Sequence, residues 1–365
     1  MWETATQTVK ETALESMHRE AGAKMGVWFG RALPDAFTDW REEYRFARES
    51  VALIDKNYRA YLSFTGPDRT RYLNAILTNN IKDLPLGRGV VSLFLNPQGH
   101  IQAEIETYAE AERLFCLSFA WIRESLIPAL DKYIIMDDVT LTDETEKYGT
   151  LALEGPKAAE SVRELTGLEL TQFAELEWRE ADAGSIPCRV IRRSPGGVAG
   201  AEFLAERARL AALWKVLQEA AKRRSGGPMG YTALNGLRLE QGIPWFGYDF
   251  GEKHIPHEAG LQDSHISYSK GCYTGQEIVE RVRSRGQVNR VRVSLRFDSA
   301  EPPRNSAALF AEGKEVGFVT RAAVSPALGA AIGMGYVRRE KSAVGSTLQC
   351  GTLTATVIVP PLQSS

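Results

Sequence analysis

The residues best suited to chemistry lie in one run, Lys270-Gly271-Cys272-Tyr273-Thr274-Gly275-Gln276-Glu277. It sets a single thiol beside an ammonium and just ahead of an apolar series, Ile278, Val279 and Val282. Thr274, followed three residues later by Glu277, reads as a capping box, so the spacing predicts a helix whose N-cap lies two residues after Cys272. The positive end of a helix dipole and the Lys270 charge both favour a thiolate, the form that attacks electrophiles and binds metals. Gly271 and Gly275 leave the backbone on either side open to a close ligand. Such charged, glycine-rich flanks set Cys272 apart from a cysteine that serves as a small buried hydrophobe. Cys272 is therefore the candidate nucleophile or transient cluster ligand and Lys270 its activator, with Gln276 and the two glycines shaping the surroundings.

Other chemistry-bearing residues are more scattered. The four cysteines, Cys116, Cys188, Cys272 and Cys350, form no C-x-x-C pair. Close spacing is the usual sign of a zinc or iron–sulfur site within one chain, so no such metal site is expected here. A cluster shared through Cys272 with a partner stays open. His254 and His257 flank Ile255-Pro256, and only Glu258 stands near as a further ligand, too few for a metal centre. Lys270, Arg281, Arg283, Arg285, Arg290 and Arg292 form a basic tract opposed only by Glu277 and Glu280. It reads as a solvated face, a landing zone for carboxylates or an RNA contact, although aromatic residues to stack bases are not interleaved.

Composition bounds the rest. At 365 residues, with 44% hydrophobic and 25% charged, the chain matches an ordinary globular protein of two or three domains. A net charge of −2 provides no global pull toward nucleic acid or anionic membrane. The first 24 residues are polar, unlike a signal peptide, and no run approaches the roughly 20 apolar residues that span a bilayer. A cytoplasmic, reduced setting without a membrane partner is expected.

The elements that must position these residues follow from periodicity. A helix is expected over Lys10 to Ala23, then a loop carrying Trp28 and Phe29 between Gly26 and Gly30. Two segments look alike: Tyr61 to Thr65 before Gly66-Pro67-Asp68, and Leu151 to Glu154 before Gly155-Pro156-Lys157. Each reads as a strand, a Gly-Pro turn and a helix with proline in its first turn, so two related α+β units are expected. Gly89 to Tyr108 reads as a hairpin turning at Asn96-Pro97-Gln98-Gly99. Helices are expected over Ala120 to Tyr133 and Ala208 to Ala221. Beyond Gly286, five short alternating strands (Arg290 to Phe297, Ala307 to Phe310, Val316 to Thr320, Ile332 to Val337 and Thr352 to Val359) predict a small β-barrel or sandwich.

These landmarks, in this order, resemble the folate-binding family that contains the glycine-cleavage T-protein and its YgfZ-type relatives. The likeness rests on six collinear segments: Leu14-x3-His18-x3-Gly22-Ala23-Lys24-Met25, Thr65-Gly66-Pro67-Asp68, Leu77-Thr78-Asn79-Asn80-Ile81, Leu237 to Pro244, Pro256 to Leu261, and Ser325 to Val337. Lys270 to Glu277 is similar to the YgfZ signature, which T-proteins lack. The resemblance implies an α+β fold, a three-domain ring with two related α+β domains and a C-terminal β-barrel. The expected division is 1–55 with 147–275 as a discontinuous folate-binding domain, 56–146 inserted in it, and 286–365 as the barrel.

What the resemblance implies about function is specific. Tetrahydrofolate, free, one-carbon-substituted or polyglutamylated, would be the ligand. Glu202, on the strand Gly200-Ala201-Glu202-Phe203, would receive the pterin. Leu234 stands where T-proteins have a folate-holding arginine, and Arg238 is either part of the pocket or a structural tie to a neighbouring carboxylate. The YgfZ-type motif implies iron–sulfur cluster assembly or repair through Cys272, with client or assembly proteins as partners. The alternatives are folate-dependent aminomethyl or one-carbon transfer, or an accessory role in tRNA modification. T-proteins carry an acidic pair after the Asn-x-x-Gly-Gly-Ile turn. Here Asn96-Pro97-Gln98-Gly99-His100-Ile101-Gln102 leads instead to Ala103 and Glu104, which speaks against aminomethyl chemistry because general acid–base catalysis tolerates little misplacement.

Overall fold

A computed structural model of the chain describes residues 9–194 and 196–362, with Arg285 described by its backbone alone. The chain divides into two compact units, one of residues 9–92 and 104–234 and one of residues 93–103 and 235–362.

The first unit is built on two mixed layers. A six-stranded sheet runs in the order Trp178–Ala183, Ile186–Arg192, Gly200–Glu206, Tyr148–Glu154, Ala52–Asp55, Gly227–Pro228. Its strands are antiparallel except for the last pair. Alternation splits the two central strands cleanly: Leu151, Leu153, Ala201, Phe203 and Ala205 point to one side, Ala152, Glu154, Glu202 and Leu204 to the other. The first side is covered by the helices Ala158–Thr166 and Leu210–Lys222, whose Ala158, Val162, Leu213, Trp214 and Leu217 complete an apolar core. On the other side Leu204 and Ile191 pack with Tyr61, Tyr108, Phe115 and Leu117 of a second sheet. That second sheet has the order Gly89–Leu95, Ile101–Ala109, Leu114–Phe119, Arg59–Thr65, Thr140–Asp143, residues 93–95 and 101–103 of its first two strands belonging to the other unit. Glu202 and Glu154 therefore face the seam between two sheets.

The expected repeat is present. Strand Arg59–Thr65 leads into helix Arg69–Ile76, and strand Tyr148–Glu154 into helix Ala158–Thr166. Gly66 and Gly155 play one role in both: φ is +96° and +136°, and a Cβ would lie 2.2 Å from the Asp138 carbonyl oxygen or 2.4 Å from that of Ser50. Only glycine admits that crossing. Pro67 and Pro156, expected in the first helical turn, instead precede the N-cap residues Asp68 and Lys157. The first helix is shorter than its periodicity suggests, Glu15–Glu20. Of Trp28 and Phe29, expected in a loop, Trp28 instead ends the hairpin strand Lys24–Trp28 and pairs with Arg31 of the strand Arg31–Ala36, while Phe29 lies in the turn, buried on Tyr58.

In the second unit a closed six-stranded barrel runs in the order Arg290–Phe297, Ala330–Arg338, Lys314–Ser325, Ala308–Ala311, Thr347–Cys350, Leu353–Ile358. Leu295, Phe297, Val319, Val337 and Leu348 are among the residues that fill it. The sixth strand, Thr347–Cys350, is not expected from periodicity, because four residues are too few to establish an alternation. Among the described residues no helix is long and apolar enough to cross a membrane.

Candidate functional site

Within the two-sheet unit, charged side chains from different strands meet in the seam. Glu202 is fully buried, not the solvated strand-edge acid that its residue type alone would suggest. Its Oε1 lies 2.8 Å from Arg59 Nη2 and 3.1 Å from Lys56 Nζ, both buried. Arg59 Nη1 continues to Glu106 at 3.1 Å, and Arg193 holds the other Glu106 oxygen at 3.0 Å. Tyr108 donates its hydroxyl to Glu106 at 2.8 Å. Burial alone would raise the Glu106 carboxyl, but Arg59 and Arg193 reverse this and hold it well below the usual carboxylate range. Glu202 Oε2 is buried with no hydrogen-bond partner among the described residues. An unmet buried acceptor costs about 1–3 kcal/mol, so the seam holds a carboxylate fixed through one oxygen and unmet at the other. Leu234, 1% exposed, belongs to the same unit.

The thiol motif lies in the other unit. Cys272 and Gly271 are exposed, whereas Tyr273 is buried. The capping-box expectation fails. The helix is Gln276–Arg285, its N-cap is Gly275 at φ +81°, and no side chain caps it. Glu277 pairs instead with Arg281 at 2.7 Å. The cause is close packing with the hairpin turn: a Cβ on Gly275 would lie 2.6 Å from the Asn96 carbonyl oxygen, and one on Gly99 2.8 Å from Ile278 Cβ. A left-handed glycine lets the chain turn into the helix at that spot, so Gly275 serves packing rather than ligand access. Cys272 thus stands three residues ahead of the N-cap, not two. The turn at Asn96 to Gly99, which leads to Ala103 and Glu104, and the thiol motif are brought together within this unit. Lys270 is half-buried, with Nζ 5.2 Å from the centre of the Tyr273 ring, and burial pushes its ammonium down to about 8.

Other predicted residues are engaged locally. Arg238, fully buried, pairs with Asp249 and donates to Asn235 Oδ1 at 3.0 Å and the Ile243 carbonyl at 3.1 Å, the structural tie its helix position suggested. Ala103 is buried and Glu104 half-buried. His254 stacks on Tyr336 at 4.3 Å, and burial pushes it down to about 4. His257 Nε2 lies 3.1 Å from the Tyr268 hydroxyl. In the basic tract, Arg283 stacks on Tyr268, Arg290 pairs with Glu258, and Arg292 donates to the Ala259 carbonyl. The Arg285 side chain lies outside the described residues.

Sequence reasoning missed Lys56, Arg59, Glu106, Arg193 and Glu154. A signal was there for three of them: Arg59 opens one largely apolar strand, Glu154 closes another, and Lys56 directly follows the largely apolar strand Ala52–Asp55, places where a charge drawn inward requires a buried partner. Their meeting depends on strand order, which periodicity does not give.

Comparison with known proteins agrees with this architecture. The GCVT N-terminal domain family matches residues 14–265, and the glycine cleavage T-protein C-terminal barrel domain matches residues 290–362. An aminomethyltransferase of Moorella thermoacetica is 28% identical over 350 residues, 93% of each chain. One of Rubrobacter xylanophilus is 28% identical over 337 residues, 92% of this chain and 89% of that one. The crystal structure of glycine cleavage system aminomethyltransferase T from Bartonella henselae superimposes with a TM-score of 0.88 at 22% identity, covering 98% of this chain and 100% of that one, and so shares the fold.

Proposed function

The chain belongs to the glycine-cleavage T-protein family, and from that premise we propose that it binds tetrahydrofolate, with Glu202 receiving the pterin. The observation that carries this is the state of the Glu202 carboxylate: Oε1 is held by Lys56 and Arg59, and Oε2 is buried without a partner among the described residues. A fixed carboxylate with a spare acceptor suits a ring edge that presents N–H donors, and buried Leu234 offers apolar surface. Free, one-carbon-substituted and polyglutamylated folates share that ring edge. When bound, such a folate carries the one-carbon unit; the protein binds and orients it.

The similar proteins are named aminomethyltransferases, which favours one-carbon transfer as the activity. In that reading Glu104 supplies the proton transfer, because Ala103 removes the first acid of the family's pair. A second reading is favoured by that same Ala103 and by the exposed Cys272. In it the YgfZ-like motif acts through its thiol in iron–sulfur assembly or repair. An RNA role has less to stand on, since Arg283, Arg290 and Arg292 are engaged by neighbouring residues.

Anaerobic calorimetric titration with tetrahydrofolate tests the shared premise. Micromolar binding that weakens at least tenfold in Glu202→Ala supports it; no heat at millimolar folate sinks it. Consumption of a one-carbon-substituted folate with an amine substrate then divides the two readings. Loss of turnover in Glu104→Ala and not in Cys272→Ser supports transfer. No turnover, with failure of Cys272→Ser to complement cells that depend on the protein, supports the thiol role.

A further inference from the structure

The sheet face that carries Glu202 carries a second buried carboxyl with no part in the reading above. Glu154 ends its strand directly opposite Gly200, while Glu202 lies opposite Ala152 on the same face. The two carboxyls are therefore diagonal neighbours, roughly 7–8 Å apart at their backbones. Gly200 gives Glu154 its room, since a Cβ there would lie 2.8 Å from Glu154 Cγ. Gly196 donates its N–H to Glu154 Oε2 at 2.9 Å, and Glu154 Oε1 is buried with no partner among the described residues. Two orphaned carboxyl oxygens thus sit on adjacent strands.

We infer that Glu154 is a specificity-determining residue of this site, its carboxylic O–H donating a hydrogen bond to an acceptor, the pterin carbonyl, on the ring whose N–H groups Glu202 receives. The inference rests on the folate reading. A carboxylate beside a neutral acid presents an acceptor next to a donor, complementary to a ring edge where N–H groups adjoin a carbonyl. Burial supports the neutral form by pushing Glu154 up to about 8, and the nearby Glu202 charge adds to this. Lys56, the Gly196 N–H and Arg193 pull the other way, and Arg59 and Glu106 stand behind Glu202 in the same network. A 4-amino ring analogue would set a donor against the Glu154 hydroxyl, and sites built around hydrogen bonds reject such mismatches strongly.

The test is calorimetric titration of the full chain with tetrahydrofolate between pH 6.5 and 9.5, for the wild type and Glu154→Gln. Ionisation of one group near 8 makes wild-type affinity fall about tenfold from pH 7 to 9. Glu154→Gln keeps a donor that cannot ionise, so its affinity shows no such fall over the same pH range. Wild-type preference for tetrahydrofolate over a 2,4-diaminopteridine analogue shrinks over the same pH range. Thermal melting of the variant confirms that it is folded, and the wild-type profile stands as a test without it. A flat wild-type profile, or the same fall in Glu154→Gln, overturns the inference while leaving the folate reading intact. Absence of binding at every pH overturns both.

Discussion

Glu202 and Cys272 are placed by opposite means. Glu202 sits on a central strand, its carboxylate fixed by Lys56 and Arg59, which arrive from a different part of the chain. Cys272 sits on an exposed loop, and the fixed points are its neighbours: buried Tyr273 and the left-handed Gly275 wedged against the Asn96 carbonyl. In the seam, the groups that would recognise a ligand are the same groups that hold the fold together. In the loop, packing falls on Tyr273 and Gly275 while the thiol stays exposed. Substitutions should therefore couple stability to ligand binding in the first region and separate them in the second.

The largest effect is expected at Glu202. Truncating one member of a buried ion pair leaves the other charge without compensation, so Glu202→Ala should cost about 3–5 kcal/mol of stability as well as folate affinity. Urea unfolding of the variant checks this. A midpoint unchanged from the wild type would mean that the Lys56 and Arg59 charges are satisfied elsewhere.

Glu154→Gln should act in the other direction on stability. An ordinary Glu titrates near 4.3, whereas Glu154 is pushed up to about 8 in the fold. Between those values the folded protein binds a proton that the unfolded chain has released, so stability falls as pH rises through this window. The glutamine removes that cost. Its stability gain should be negligible at pH 4 and grow to about 3–4 kcal/mol by pH 7. Urea midpoints at the two pH values measure it, and equal differences would show that Glu154 is not held neutral by burial.

How much of this was legible in the sequence also differs between the two regions. Local signals gave the Gly-Pro strand–helix repeats, the hairpin turning at Asn96 to Gly99, five of the six barrel strands and the thiol motif, because each is written within about ten consecutive residues. Glu202 stands out through family likeness. Its partners Lys56 and Arg59 and the neighbouring Glu154 do not, because they meet only once segments distant in sequence are laid side by side. The helix start was misread for a related reason. Thr274 and Glu277 satisfy a capping box on paper, but the Asn96 carbonyl, nearly 180 residues away in the chain, sets the turn and makes Gly275 the cap.

That misreading allows the finest test of the comparison, inside the loop itself. Gly271 and Gly275 look equivalent in sequence, yet a Cβ at Gly271 meets nothing within 4 Å, while one at Gly275 meets the Asn96 carbonyl in a backbone conformation that side chains avoid. Gly275→Ala should therefore cost about 1–3 kcal/mol. Gly271→Ala and Cys272→Ser, both at exposed positions, should stay within about 0.5 kcal/mol of the wild type. Any thiol-dependent function should then be lost in Cys272→Ser without loss of fold, and tetrahydrofolate affinity should not change. If Gly271→Ala proved as costly as Gly275→Ala, the loop around Cys272 would be a packed element like the seam, and the division between a structural glycine and an accessible thiol would collapse.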